Sequence, residues 1–171
     1  LGMLFMAAFA LKSDPQKKIF TRKGLAYSTM SALMKATVSE NAECRTEERA
    51  EGLTPRLGGD IVQDCAQNWD THSAYRCKSP LSKESEEWLQ SCVFFEEMAT
   101  YLLDQTLGSW NKKYEFRSQL VPSAGEKPID IIEPITVGGG CPPYKERDSS
   151  GLFPISITDV GLVENVLYLC D

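Results

Sequence analysis

Two adjoining stretches decide the fold that this sequence predicts: residues 60–76, DIVQDCAQNWDTHSAYR, and residues 79–108, which open on Ser79-Pro80 and close at Gly108. In the first, Val62, Cys65, Ala66, Trp69 and Ser73 recur at the alternating three- and four-residue spacing of one helix face, and Asp60 with Gln63 forms a capping-box pattern. In the second, Ser79 suits an N-cap and Pro80 a first helical turn, while Trp88, Cys92, Phe95, Ala99, Leu102 and Thr106 repeat at 4-3-4-3-4 until Gly108. Two such helices joined by a short break at Lys78-Ser79 make an antiparallel hairpin.

That hairpin sets an expectation for the cysteines. Cys65 lies thirteen residues before Lys78, and Cys92 lies thirteen after Ser79. The two therefore sit at the same height on facing stripes, and the spacing predicts a Cys65–Cys92 bridge. By elimination and proximity, Cys141–Cys170 ties down the tail and Cys44–Cys77 anchors the acidic stretch over residues 40–51, which carries Glu40, Glu43, Glu47, Glu48 and Glu51. There is no C-x-x-C pair, and successive cysteines are more than ten residues apart, so a structural zinc site is not expected. Six cysteines at wide spacing read as three disulfides formed in an oxidising compartment, an organelle lumen, intermembrane space or the exterior.

Outward from the hairpin, a helix is expected over roughly residues 21–38, where Leu25, Met30, Leu33, Ala36 and Thr37 form a ragged stripe after Thr21. Thr54-Pro55 and Gly58-Gly59 mark a loop. Residues 114–121 alternate as a strand does, as do residues 129–137 around Pro134, and Pro122, Gly125 and Pro128 connect them. Residues 155–170 read as a helix capped at Thr158 or Asp159, in preference to an alternating strand. The expected class is mainly α (α+β): a disulfide-stabilised helical bundle or hairpin over residues 21–108, with an irregular, short-strand-containing third over residues 109–171.

The chain has 171 residues, 42% of them hydrophobic and 25% charged, and a mean hydropathy of −0.27. These values exclude a disordered tail and a polytopic membrane protein. A formal charge of −6 argues against nucleic acid as the partner. Basic side chains nonetheless cluster at Lys12, Lys17, Lys18, Arg22 and Lys23. Ahead of them the apolar run LGMLFMAAFAL is too short to span a bilayer, which takes about 20 residues. It reads either as the remnant of a targeting peptide or as a docking segment. On the second reading residues 1–20 form a separate segment, and Leu4, Phe5, Phe9, Lys17, Lys18, Arg22 and Lys23 meet protein or a membrane surface.

The usual constellations of catalysis are missing. His72 is the single histidine, and Asp70, Thr71 and Ser73 beside it point in other directions on a helix. Glu86-Glu87 and Glu96-Glu97 are adjacent pairs of the kind found on solvated faces, not carboxylates set across a substrate. Gly138-Gly139-Gly140 lacks the G-K-[ST] ending of a phosphate-binding loop and reads as a turn before Cys141. Trp69 and Trp88 fall on the expected core stripes, and Trp110 could join them around a ligand. No catalytic, cofactor-binding or metal-ligating residue is expected, nor any cofactor. The expected function is that of a non-enzymatic accessory subunit of a larger, membrane-associated assembly, such as an energy-converting complex, facing an oxidising lumen. The alternative is a secreted recognition or effector protein, or a carrier of small apolar ligands.

Overall fold

The structure, a computed structural model, describes residues 15–38, 43–46, 53–68, 73–79 and 88–170, and of residues 15–20 only the backbone. Helix α1 spans Pro15–Lys35 and is followed by strand β1 (Cys44–Arg45). A π-helical turn, Leu57–Ile61, runs into α2 (Val62–Gln67). Strands β2 (Arg76–Lys78) and β3 (Trp88–Gln90) precede α3 (Ser91–Thr106). Then come β4 (Lys113–Pro122), β5 (Ile129–Asp130), β6 (Ile135–Val137), β7 (Arg147–Ser149), β8 (Phe153–Ile157) and β9 (Gly161–Cys170).

Two antiparallel sheets replace the expected helical bundle. The smaller is β1-β2-β3, and the larger is built on β4 and β9, which pair from Lys113↔Cys170 to Pro122↔Gly161. β5 and β6 pair along the free edge of β4, and β7 and β8 along that of β9. On one face of the ladder Tyr114, Phe116, Ser118 and Leu120 stand opposite Leu169, Leu167, Asn165 and Val163, and all are buried. Period-2 alternation drives this, because each apolar side chain removed from water contributes about 1.5–3 kcal/mol. α3 covers that face with Phe94, Phe95, Met98, Ala99 and Leu103, and Phe95 meets Phe116 edge-on at 6.0 Å between ring centres. α1 lies over the β7–β9 side through Arg22, Ala26, Met30 and Leu33.

The helical hairpin itself fails at both ends. α2 stops at Gln67 because the buried Asp64 carboxylate gathers the chain that follows: it accepts from Asn68 Nδ2 (2.8 Å), Ser73 Oγ (2.7 Å) and the Ala74 and Tyr75 amides (both 3.0 Å). These bonds satisfy backbone groups that a continued helix would otherwise pair. α3 starts at Ser91, not Ser79. Ser79 Oγ donates to Glu97 instead of capping, and Trp88, Leu89 and Gln90 pair with β2. The buried stripe of α3 is also turned by about one position, since Phe94 and Met98 are inside, Cys92 and Leu102 half-buried and Thr106 exposed. Gly58 and Gly59, expected in a loop, belong to the π-helical turn, where Asp60 accepts the Arg56 amide at 2.8 Å.

At the C-terminus the preference for a helix over residues 155–170 is corrected to a hairpin. Thr158 and Asp159 are turn residues, and Asp159 has φ 64. The run looked helical because β9 is apolar on both faces: Val163, Leu167 and Leu169 face the helices, while Val166 and Cys170 are buried from the other side. Gly161 lets the start of β9 lie close against the end of β4, as a Cβ there would lie 2.3 Å from the Val121 carbonyl oxygen. The strands expected at 114–121 and around Pro134 are present as β4, β5 and β6. The helix expected near 21–38 is α1, displaced toward the N-terminus.

Arg22 and Asp148 form an ion pair inside the molecule, Nε to Oδ2 at 2.7 Å, with both side chains at most 7% exposed. Removing one partner leaves the other charge buried, which costs about 3–5 kcal/mol. Arg22→Ala is expected to lower the unfolding free energy by about that amount in urea, and Arg22→Met with Asp148→Leu to recover most of it. A single-variant loss below about 1 kcal/mol would show that the pair behaves as a surface one.

Candidate functional site

The outward face of α3 carries a groove of about 530 Å³, lined by Leu89 of β3 and by Val93, Glu96, Glu97, Thr100 and Tyr101 on successive helical turns. α3 puts these side chains outside because its other face is taken up by the sheet. Val93 is 52% and Tyr101 39% exposed. Carboxylates flank the apolar floor: Glu96 is exposed, Glu97 accepts from Ser79 Oγ at 2.7 Å, and Asp104 accepts from the Tyr114 hydroxyl. Partial desolvation against the helix face first, and then the charge of Glu133, push the Glu96 carboxyl up from its ordinary value. Burial, together with the bond to Asp104 and its charge, pushes the Tyr114 phenol up strongly.

A second, smaller cleft lies where α1 crosses α3. It encloses about 110 Å³ between Thr29, Ala32 and Leu33 on α1, Ala36 just after it, and Leu102, Leu103 and Thr106 on α3. Thr106 Oγ1 is turned back onto the Leu102 carbonyl at 2.7 Å, which leaves the walls apolar.

The six cysteines form three bridges in the pairs that the spacing gives: Cys44–Cys77, Cys65–Cys92 and Cys141–Cys170, with Cα separations of 4.1, 4.7 and 5.6 Å. The first joins directly opposed residues of β1 and β2, the second ties α2 to the start of α3, and the third fastens the turn before β7 to the end of β9. They indicate an oxidising environment for the folded chain.

The other residues singled out in the sequence fall in different places. Leu4, Phe5, Phe9, His72 and Trp69 lie outside the described residues, as do Glu86, Glu87 and the side chains of Lys17 and Lys18. Lys23 is exposed on α1, whereas Arg22, grouped with it for docking, points inward to Asp148 and to Glu146 at 3.0 Å. Trp110 is 64% exposed, and Trp88 is a half-buried strand residue on the small sheet instead of a core helix residue. Gly138, Gly139 and Gly140 form a turn with φ of 68, 88 and 71°. The carboxylate of Glu115 accepts the Cys141 amide at 2.9 Å beside that turn, so an anionic group of the chain already holds the place a phosphate would need.

Three polar constellations had no local signal in the sequence. The Asp64–Ser73–Ser91 cluster, with Ser73 Oγ 2.9 Å from Ser91 Oγ, spans 27 residues; Arg22–Asp148 spans far more; Ser118 Oγ donates to Asn165 Oδ1 at 2.6 Å across the central ladder. Each depends on contacts that only the tertiary fold creates. Among the described residues no group of three His, Cys, Asp or Glu could hold a metal ion, and no helix is long and apolar enough to cross a membrane. Comparison of the chain with protein-family models, with curated proteins and with solved structures finds no match.

Because the folded carboxyl of Glu96 holds its proton at a higher pH than an unfolded one, the folded state loses stability as pH rises through the glutamate range, and the loss is complete above the folded pKa. Glu96→Gln removes that dependence. Relative to the wild-type chain, Glu96→Gln is expected to gain Tm as pH rises from about 4 to 7. Parallel pH profiles would contradict the assignment.

Proposed function

We propose that this chain is a non-enzymatic protein-binding domain of an oxidising compartment, and that it meets its partner through the outward face of α3. The observation that supports this is the pairing of exposed Val93 and Tyr101 with an open groove on a helix fastened at its start by Cys65–Cys92. An exposed aromatic with apolar neighbours on a rigid element is the composition of an interface core, and the flanking carboxylates would serve as its polar rim. A matching partner carries apolar side chains bordered by Lys or Arg.

The finer reading, an accessory subunit of a membrane-associated energy-converting assembly, draws its support from residues 1–11 and the following basic cluster. Of those, Lys23 alone has a described and exposed side chain, so the reading stays at protein binding. Carriage of a small apolar ligand is a second reading with its own support, the largely apolar cleft between α1 and α3, in which the Thr106 hydroxyl is already bonded to the Leu102 carbonyl.

Size analysis of native extracts tests the proposal. The wild-type chain is expected in an assembly larger than its own 19.0 kDa, and the Val93→Ser, Tyr101→Ser double variant is expected to run as a monomer with unchanged circular dichroism. Wild type and variant running alike, whether both assembled or both monomeric, would overturn it.

A further inference from the structure

The outer face of the small sheet is basic although the chain as a whole is acidic, with a formal charge of −6. Cys44, Cys77 and Leu89 stand side by side across the three strands and form its inner row; the cysteines are buried and bonded to each other. Alternation then sends Arg45, Arg76, Lys78 and Trp88 to the opposite face. Arg45 and Arg76 are directly opposed in register, and Lys78 is opposed to Trp88. Two like charges in opposed positions of a sheet repel each other, so without a counter-charge this arrangement is unfavourable.

The indole of Trp88 holds two of these cations at once. The Arg45 guanidinium lies 3.9 Å from the ring centre and the Lys78 ammonium 5.0 Å. Arg45 reaches there diagonally across β2, passing beside Arg76. Of the three cations only Lys78 has a carboxylate among the described residues, Glu43 at 3.0 Å. Trp88 thus gathers positive charge and fixes its geometry before any ligand arrives, which reduces the ordering cost of binding.

The geometry points to an anion-binding site on this face, formed by Arg45, Arg76 and Lys78 around Trp88, whose occupant is a sulfated or uronate-bearing oligosaccharide. Two features select a glycan over nucleic acid. The oxidising environment indicated by the disulfides is one where acidic glycans are met, and the face spans only three short strands, about 10 Å across at roughly 4.8 Å per strand. That width suits one or two anionic groups on a short saccharide. A long duplex would also meet the acidic remainder of the chain. Planar guanidinium groups bind sulfate and carboxylate through paired hydrogen bonds.

Titration of the oxidised full chain with a defined heparin hexasaccharide tests the site, with its desulfated counterpart and a single-stranded DNA hexamer as comparators. Binding of the sulfated hexasaccharide is expected, weakened by added salt and reduced about tenfold or more in Arg45→Ser, Arg76→Ser. Lys127→Ala, exposed on the connector between β4 and β5, should bind as wild type does. Circular dichroism and a non-reduced peptide map establish that the variants keep the fold. The inference is overturned if the wild-type chain does not bind the hexasaccharide, if Lys127→Ala weakens it as much as the arginine variant, or if the DNA hexamer binds equally well. None of these outcomes bears on the α3 face, whose exposed Val93 and Tyr101 lie on the helix and not on the basic face of the sheet.

Discussion

The ten-pair ladder between β4 and β9 is the constraint on which the rest of this structure depends. It joins residues far apart in sequence and creates in one step the apolar surface formed by Tyr114, Phe116, Leu120, Val163, Leu167 and Leu169. α3 docks on that surface and α1 docks beside it. The shorter strands β5 to β8 add only a few residue pairs each and have no sheet to join without it. Cys141–Cys170 closes one end of the ladder and the Gly161 hairpin the other.

Polar groups inside this framework are matched by partners far along the chain. Asn165 illustrates the requirement, since it accepts from Ser118 and donates to the Phe153 carbonyl at 3.1 Å, binding three strands through one buried side chain. Asp64 does the same for the loop after α2, and Arg22 with Asp148 for the contact of α1 with β7. Unmatched, each of these groups would carry a desolvation cost of about 1–3 kcal/mol, more for the charges, so they favour one arrangement over other ways of packing the same apolar surface.

Of the C-terminal architecture only the strands over 114–121 and around Pro134 were legible in the sequence, and the helices expected over 60–76, 79–108 and 155–170 were misread in whole or in part, for identifiable reasons. Residues 114–121 alternate cleanly because one face of β4 is covered and the other largely polar. β9 hid its alternation, because apolar residues lie on both its faces. The 4-3-4 pattern through Trp88 and Cys92 was compatible with a helix, but pairing of Trp88–Gln90 with β2 outweighed that preference, as tertiary contacts commonly do. The Cys65–Cys92 pair emerged from a hairpin that does not exist. The two residues still meet, because α2 and the start of α3 are brought together by the Asp64–Ser73–Ser91 cluster. Neither the α3 groove nor the basic face of the small sheet was legible, as each combines neighbours that only the fold assembles.

The disulfides and the buried polar network make a firm body that presents an apolar-acidic helix face on one element and a basic-aromatic sheet face on another. Such a division of surface chemistry fits a protein that acts by contact. Its central structural claim, that the β4–β9 ladder supports everything else, is tested most directly by native-state hydrogen exchange on the oxidised chain. The account predicts that amides of Tyr114–Leu120 and Val163–Leu169 exchange only through global unfolding, with α1 and α3 amides opening at equal or lower free energy. Full protection in α1 and α3 while the ladder amides exchange by local opening would contradict it.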